Sequence, residues 1–140
     1  MKRLEHILVP TDFSAGSVPP LKIASNISGD KGDITLIHVI QTIPGESFDE
    51  FKDFYTKLED RAWNSLQELI AKWPESALEI IPRIEYGGRV EQILKYAADH
   101  QVDLIVLNSH RIHPNDPVRD WGTISYKVGV LSQCPVMLVK

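Results

Sequence analysis

Two short runs constrain this chain more than any other feature: DITLIHVI at residues 33–40 and DLIVL at 103–107. Neither alternates cleanly between apolar and polar, and both are rich in apolar, largely β-branched side chains, the pattern of strands covered on both faces within a parallel sheet. Parallel neighbours need crossover connections, and the segments around these runs supply them. HILVP at 6–10 reads as a first strand that ends at a breaker, and TDFSAGS after it has the small polar residues of a turn. Pro19 and Pro20 suit a first helical turn, and Leu21, Ala24 and Ile27 follow at helical spacing toward Gly29.

Ser47 and Glu50 form a capping-box pattern for a long helix over 47–73, with Phe48, Phe51, Tyr55, Leu58, Ala62, Leu66, Leu69 and Trp73 spaced by three or four residues and Pro74 as the stop. A third strand over 78–86 carries Pro82, which places it at a sheet edge or a bulge because proline donates no ladder hydrogen bond. Gly87 and Gly88 close it, and Val90, Ile93, Leu94, Ala97 and Ala98 mark the next helix. After 103–107 comes a polar loop over 108–121, then a helix opening at Gly122 and Thr123, and a last strand, Val136, Met137, Leu138 and Val139. The order βαβαβαβαβ implies one domain over 1–140: an α/β fold with a single doubly wound parallel sheet and helices on both faces.

Composition narrows the function classes. A 43% apolar and 24% charged chain of 140 residues is ordinary globular material with room for one core. No run approaches the roughly 18 apolar residues of a membrane span, and the opening segment reads as strand, not as a signal peptide. Cys134 is the lone cysteine, so no intrachain disulfide forms and a reducing cytoplasm is the expected compartment. The formal charge of -4 disfavours nucleic acid as a partner.

In a doubly wound sheet the ligand crevice lies outside the carboxyl ends of the strands where the winding reverses, between the first and fourth. Those strands deliver Pro10, Thr11, Asp12, Phe13 and Ser14 on one side and Asn108, Ser109, His110 and Arg111 on the other. Thr123 begins the last helix and so faces the same crevice, where helix N–H groups can hold an anion. Read alone, Thr123 is also an ordinary N-cap and Asp12 an ordinary loop residue.

HILVPTDFSAGS, LIHV, GGRVEQILKYAADHQVDLIVLNSH and CPVMLVK, in that order along the chain, resemble the universal stress protein family. The resemblance implies a cytoplasmic stress-response module with an adenine-nucleotide α-hydrolase-like fold of strand order 3-2-1-4-5, dimeric through the last strand. That strand is apolar and at an edge, so self-pairing is the economical way to cover it. The resemblance also divides members into ATP-binding and non-binding kinds. In binding members a loop G-x-x-G, nine residues, then G-[ST] cradles the phosphates; Asp12 would then contact ribose, and Val39 the base through its backbone.

Here Asn108 and Arg111 stand at the two leading glycine positions, ten residues (112–121) separate Arg111 from Gly122, and only Gly122 and Thr123 keep the pattern. Glycine permits positive φ and close backbone approach to phosphate; arginine does not, although its guanidinium can bind phosphate directly. Pro114 and Pro117 remove two further donors. The primary reading is therefore a homodimer that acts through protein contacts, with no cofactor and no catalytic residue. The alternative is an ATP-binding switch with at most slow hydrolysis, its phosphates near Arg111, Gly122 and Thr123, with His110 as a further candidate binding residue.

Other constellations read blandly. His110 and His113 with Asp116 lack a fourth metal ligand, and His38 reads as a hydrogen-bonded core histidine. Cys134 reads as packing, and Phe48, Phe51 and Tyr55 as core or interface. A receiver domain would need an acid cluster after the first strand, where Asp12 stands alone. A flavodoxin-like carrier would need a richer hydroxyl loop there than Thr11, Ser14 and Ser17 provide.

Overall fold

The computed structural model describes residues 4–28, 32–72, 79–109, 115 and 123–140. Its elements run in chain order: β1 His6–Pro10, a 3-10 turn Ala15–Ser17, α1 Val18–Ile27, β2 Asp33–Gln41, a second 3-10 turn Asp49–Phe51 and α2 Lys52–Ala71. They continue with β3 Glu79–Gly87, α3 Arg89–Asp99, β4 Leu104–Asn108, α4 Ile124–Leu131 and β5 Val136–Val139. The five strands form one sheet in the order β3-β2-β1-β4-β5, and each pairing is parallel.

Both central runs behave as their composition requires. Along β2, Ile34 and Leu36 face one buried cluster, with Leu21, Ala24, Leu66 and Leu69 of α1 and α2. Ile37 and Val39 face the other, with Ile93, Ala97 and Val128 of α3 and α4. In β1, Ile7 and Val9 join the first cluster and Leu8 the second. The central strands β1, β2 and β4 carry apolar residues on both faces because each face meets a helix layer.

Pro82 lies in β3, an edge strand, opposite Leu36 of β2. Pro19 and Pro20 fall in the first turn of α1, whose N–H groups have no intrahelical partner to lose. The helix closes where Ser28 turns extended and its N–H reaches the Ala24 carbonyl at 3.0 Å.

Two boundaries differ from the sequence reading. The capping box at Ser47 does not form: Phe48 and Phe51 occupy the N-cap positions of the second 3-10 turn and of α2, neither with a side-chain cap bond. Phe48 instead stacks on Tyr55 with ring centroids 5.3 Å apart and meets Tyr86 edge-on, so aromatic packing sets how the chain enters the helix. Asp49, Glu50 and Asp53 sit in the first turns, where the helix dipole favours negative charge. The second difference is Asp103, expected inside the fourth strand. It precedes β4, and its carboxylate accepts the N–H groups of Glu5 and His6 at 3.1 and 3.0 Å, tying the entries of β1 and β4 together.

Candidate functional site

The reversal of strand order falls between β1 and β4, and a cavity of about 260 Å³ opens at their carboxyl ends. Ile37, Val39, Ile93 and Leu107 form its apolar part, and Asp12, Arg89, Asn108, Ser109, Thr123 and Ser125 bring polar groups to it. Apolar walls with a few placed polar groups are the usual make-up of a small-molecule site.

The β1 side is built by a hydroxyl-rich turn. Past Pro10, the Thr11 N–H still reaches the Ile37 carbonyl at 2.9 Å, and then the ladder stops. Thr11 Oγ1 donates to Ser17 Oγ (2.8 Å) and accepts the Phe13 N–H (3.1 Å). Asp12 Oδ1 accepts the Ser14 N–H at 2.9 Å and lies 3.4 Å from the Ser17 hydroxyl. Short polar side chains thus replace the backbone bonds that the end of the strand leaves unmade. Burial pushes the Asp12 carboxyl upward, but hydrogen bonds from Ser14, from its own backbone and from Ser17 outweigh it and hold the group below its ordinary value. Asp12 is therefore ionised at neutral pH.

Phe13 adopts φ 65, a left-handed conformation that costs a non-glycine residue roughly 1–2 kcal/mol. Its ring lies 4.4 Å from that of His38, whose Nδ1–H donates to the Thr11 carbonyl at 2.9 Å. His38 is a strut beneath the turn, as its strand position suggested. Burial lowers its pKa most; the Thr11 carbonyl opposes this, Arg89 lowers it further and Asp12 raises it, leaving it below the ordinary histidine value.

On the β4 side, Asn108 is exposed and crowds Gly16, where any Cβ would run into its amide. Ser109 is buried; its N–H bonds the Val139 carbonyl at 2.8 Å and its hydroxyl lies 3.0 Å from that of Ser125. Thr123 takes the N-cap position of α4 with extended backbone, its hydroxyl 3.4 Å from Ser125 Oγ and its carbonyl accepting the Lys127 N–H at 3.0 Å.

Six of the nine residues singled out in the sequence line this cavity: Pro10, Thr11, Asp12, Val39, Asn108 and Thr123. His110, Arg111 and Gly122 lie outside the described residues, as do His113 and Asp116 of the metal constellation. Among the described residues no cluster of three or more His, Cys, Asp or Glu side chains could hold a metal ion. Sequence reasoning left Ser17, Arg89 and Ser125 out of the site. Arg89 was legible in principle, since Gly87 and Gly88 end β3 at the same carboxyl edge and place the next residue over the crevice.

An open parallel sheet with its cavity where the strand order reverses defines an α/β crevice protein of the adenine-nucleotide α-hydrolase-like fold. The chain belongs to the universal stress protein family, whose model matches residues 3–140. Among solved structures, the hypothetical protein MJ0577 is 29% identical, with a TM-score of 0.83 over 99% of this chain and 97% of that one. The universal stress protein UspA from Lactobacillus plantarum is 22% identical over the full length of both chains, with a TM-score of 0.75. A universal stress protein in complex with cAMP is 18% identical, with a TM-score of 0.72 over 99% of each chain. A search of curated proteins found no match.

Proposed function

We propose that this universal stress protein is a nucleotide-binding module that holds an adenosine group in the β1/β4 crevice. The observation that carries the reading is the convergence of an ionised Asp12, the edge of β2 at Val39 and the hydroxyls of Ser109, Thr123 and Ser125 on one cavity. Val39 lies two residues beyond Ile37, the last β2 residue paired with β1. Its backbone groups face the same edge, where a base can take the place of a strand. Asp12 accepts from ribose hydroxyls, and Arg89 adds a positive charge at the rim. A structural relative that holds cAMP supports an adenosine ligand. The cavity is slightly below the roughly 300–1,000 Å³ of typical small-molecule sites, so it encloses only part of a nucleotide.

Calorimetric titration of magnesium ATP, and of cAMP in parallel, into nucleotide-stripped protein tests this. Micromolar binding of either is the expected result. Absence of binding at millimolar concentrations of both leaves the alternative of a module that acts through protein contacts alone.

A second reading concerns assembly in a soluble, cytoplasmic setting. The β5 edge and the exposed Val130, Leu131 and Met137 support a homodimer through β5. Val136 and Leu138 pack into the α3/α4 cluster and Val139 against the other, so a charge there would disturb the core. Met137 is 37% exposed and belongs to neither cluster. Met137→Lys is expected to convert a dimer to monomers in analytical ultracentrifugation while keeping the circular dichroism spectrum of the fold; a dimer unchanged by this substitution removes β5 as the interface.

A further inference from the structure

At the other edge of the sheet from β5, the chain carries an aromatic surface that neither the crevice nor a β5 dimer uses. Tyr55 of α2 is its buried hub. The Ile43 N–H donates to the Tyr55 hydroxyl at 3.4 Å, and the Tyr55 ring has Phe48 stacked on it, with Phe54 and Tyr86 against it at 5.6 and 6.0 Å. The hub is buried, yet three of the apolar side chains around it keep about half their surface in water: Ile43 is 53% exposed, Phe48 47% and Phe54 54%. Adjacent exposed apolar side chains on one supported surface mark interaction sites more often than isolated ones do.

The charge around this surface is predominantly acidic, with Lys52 and Lys57 as its basic members. Between positions 43 and 54 stand four carboxylates, Glu46, Asp49, Glu50 and Asp53, against the single Lys52, a net of -3 in a chain whose total is -4. All four carboxylates are exposed. On the Tyr86 side the negative field continues: burial raises that hydroxyl's pKa, and Glu59 and then Asp60 raise it further. An acidic rim around an apolar centre repels an anionic lipid surface and repels the same patch on a second copy. It attracts a segment that presents apolar side chains flanked by lysine or arginine.

We propose that the surface formed by Ile43, Phe48 and Phe54 is a docking site for a basic amphipathic segment of a partner protein. Phe54, rooted on α2, and Phe48, rooted on Tyr55, are the anchors, and the carboxylates select the sign of the partner.

The test is NMR titration of the ¹⁵N-labelled full chain with a synthetic amphipathic helix of leucine and lysine, beside the same peptide with glutamate in place of lysine. The lysine peptide is expected to shift amide signals in 43–55 and at Tyr86 and to leave those of Thr11 and Ser109 in place; the glutamate peptide shifts none. Phe48→Ser with Phe54→Ser should weaken binding by about tenfold or more with every carboxylate intact. Phe54→Ser alone, at an exposed position, serves if the double variant does not fold. Asp49→Lys with Asp53→Lys should weaken binding comparably. Equal binding of both peptides, affinity indifferent to the phenylalanine changes, or shifts confined to other surfaces would each overturn the proposal. So would self-association of the chain that Phe54→Ser abolishes, since a second copy would then occupy the patch.

Discussion

Leu36→Ala is expected to cost about 2–5 kcal/mol of unfolding free energy, a large part of the 5–15 kcal/mol that a domain of this kind has to lose. Leu36 is fully buried on β2, between Val9 of β1 and Pro82 of β3, and packs in the cluster that joins the sheet to α1 and α2. Its neighbours Val9, Ile34, Leu66 and Val106 are held by the sheet and by a long helix, so they collapse only partly into the space left behind. Urea unfolding followed by circular dichroism measures the loss, with Ile43→Ser as a surface control that should stay within about 0.5 kcal/mol. A Leu36→Ala loss below about 1 kcal/mol would mean that the layer of α1 and α2 is packed more loosely on the sheet than this burial implies.

The same strand shows why so much of the fold was legible. DITLIHVI has no polar face, so it could be placed only between two helix layers, and the alternation of helices with strands then implied a parallel, doubly wound sheet, while its strand order followed from the family resemblance. Pro82 narrowed its own strand to an edge or a bulge because a missing N–H is tolerated there, and the structure places it at the edge, with the short apolar β5 at the other. What escaped notice had a physical cause in each case. Ser47 and Glu50 match a capping box locally, but the stacking of Phe48 on Tyr55 decides where the helix begins, and that is a contact between residues seven apart. Asp103 looked like a strand residue because Leu104 to Leu107 follow it, whereas its carboxylate serves backbone N–H groups nearly a hundred positions away.

The crevice divides along the same line. Asp12, Asn108 and Thr123 are found by topology, since each follows or precedes an element whose end must point there. Ser17 and Ser125 are not. They reach the cavity by helical and turn geometry one step removed from the strand ends, and only their hydroxyl contacts, with Thr11 and with Ser109, reveal them. Arg111 lies outside the described residues.

Asp12→Ala is expected to weaken adenosine nucleotide binding by about tenfold to a hundredfold, the equivalent of one charge-assisted hydrogen bond at a net of roughly 1.5–3 kcal/mol. An ionised carboxylate offers about four acceptor sites. The Ser14 N–H and the Ser17 hydroxyl both bond Oδ1, so ribose hydroxyls are to be met chiefly at Oδ2. Because Asp12 also ties down the turn that holds Phe13 left-handed, a loss of affinity alone would not separate contact from support. Nucleotides lacking a ribose hydroxyl make that separation. In the parent protein the 2′-deoxy or 3′-deoxy analogue should bind more weakly than the ribonucleotide. In Asp12→Ala that difference should vanish, since the two deletions remove the same bond. If the analogue loses the same factor in both proteins, Asp12 acts only through the turn. With uncharged adenosine as ligand, the Asp12 contribution should also stay level from pH 8 to pH 6. The depressed carboxyl pKa places its protonation, and the loss of the contact, on the acid side of the ordinary aspartate range.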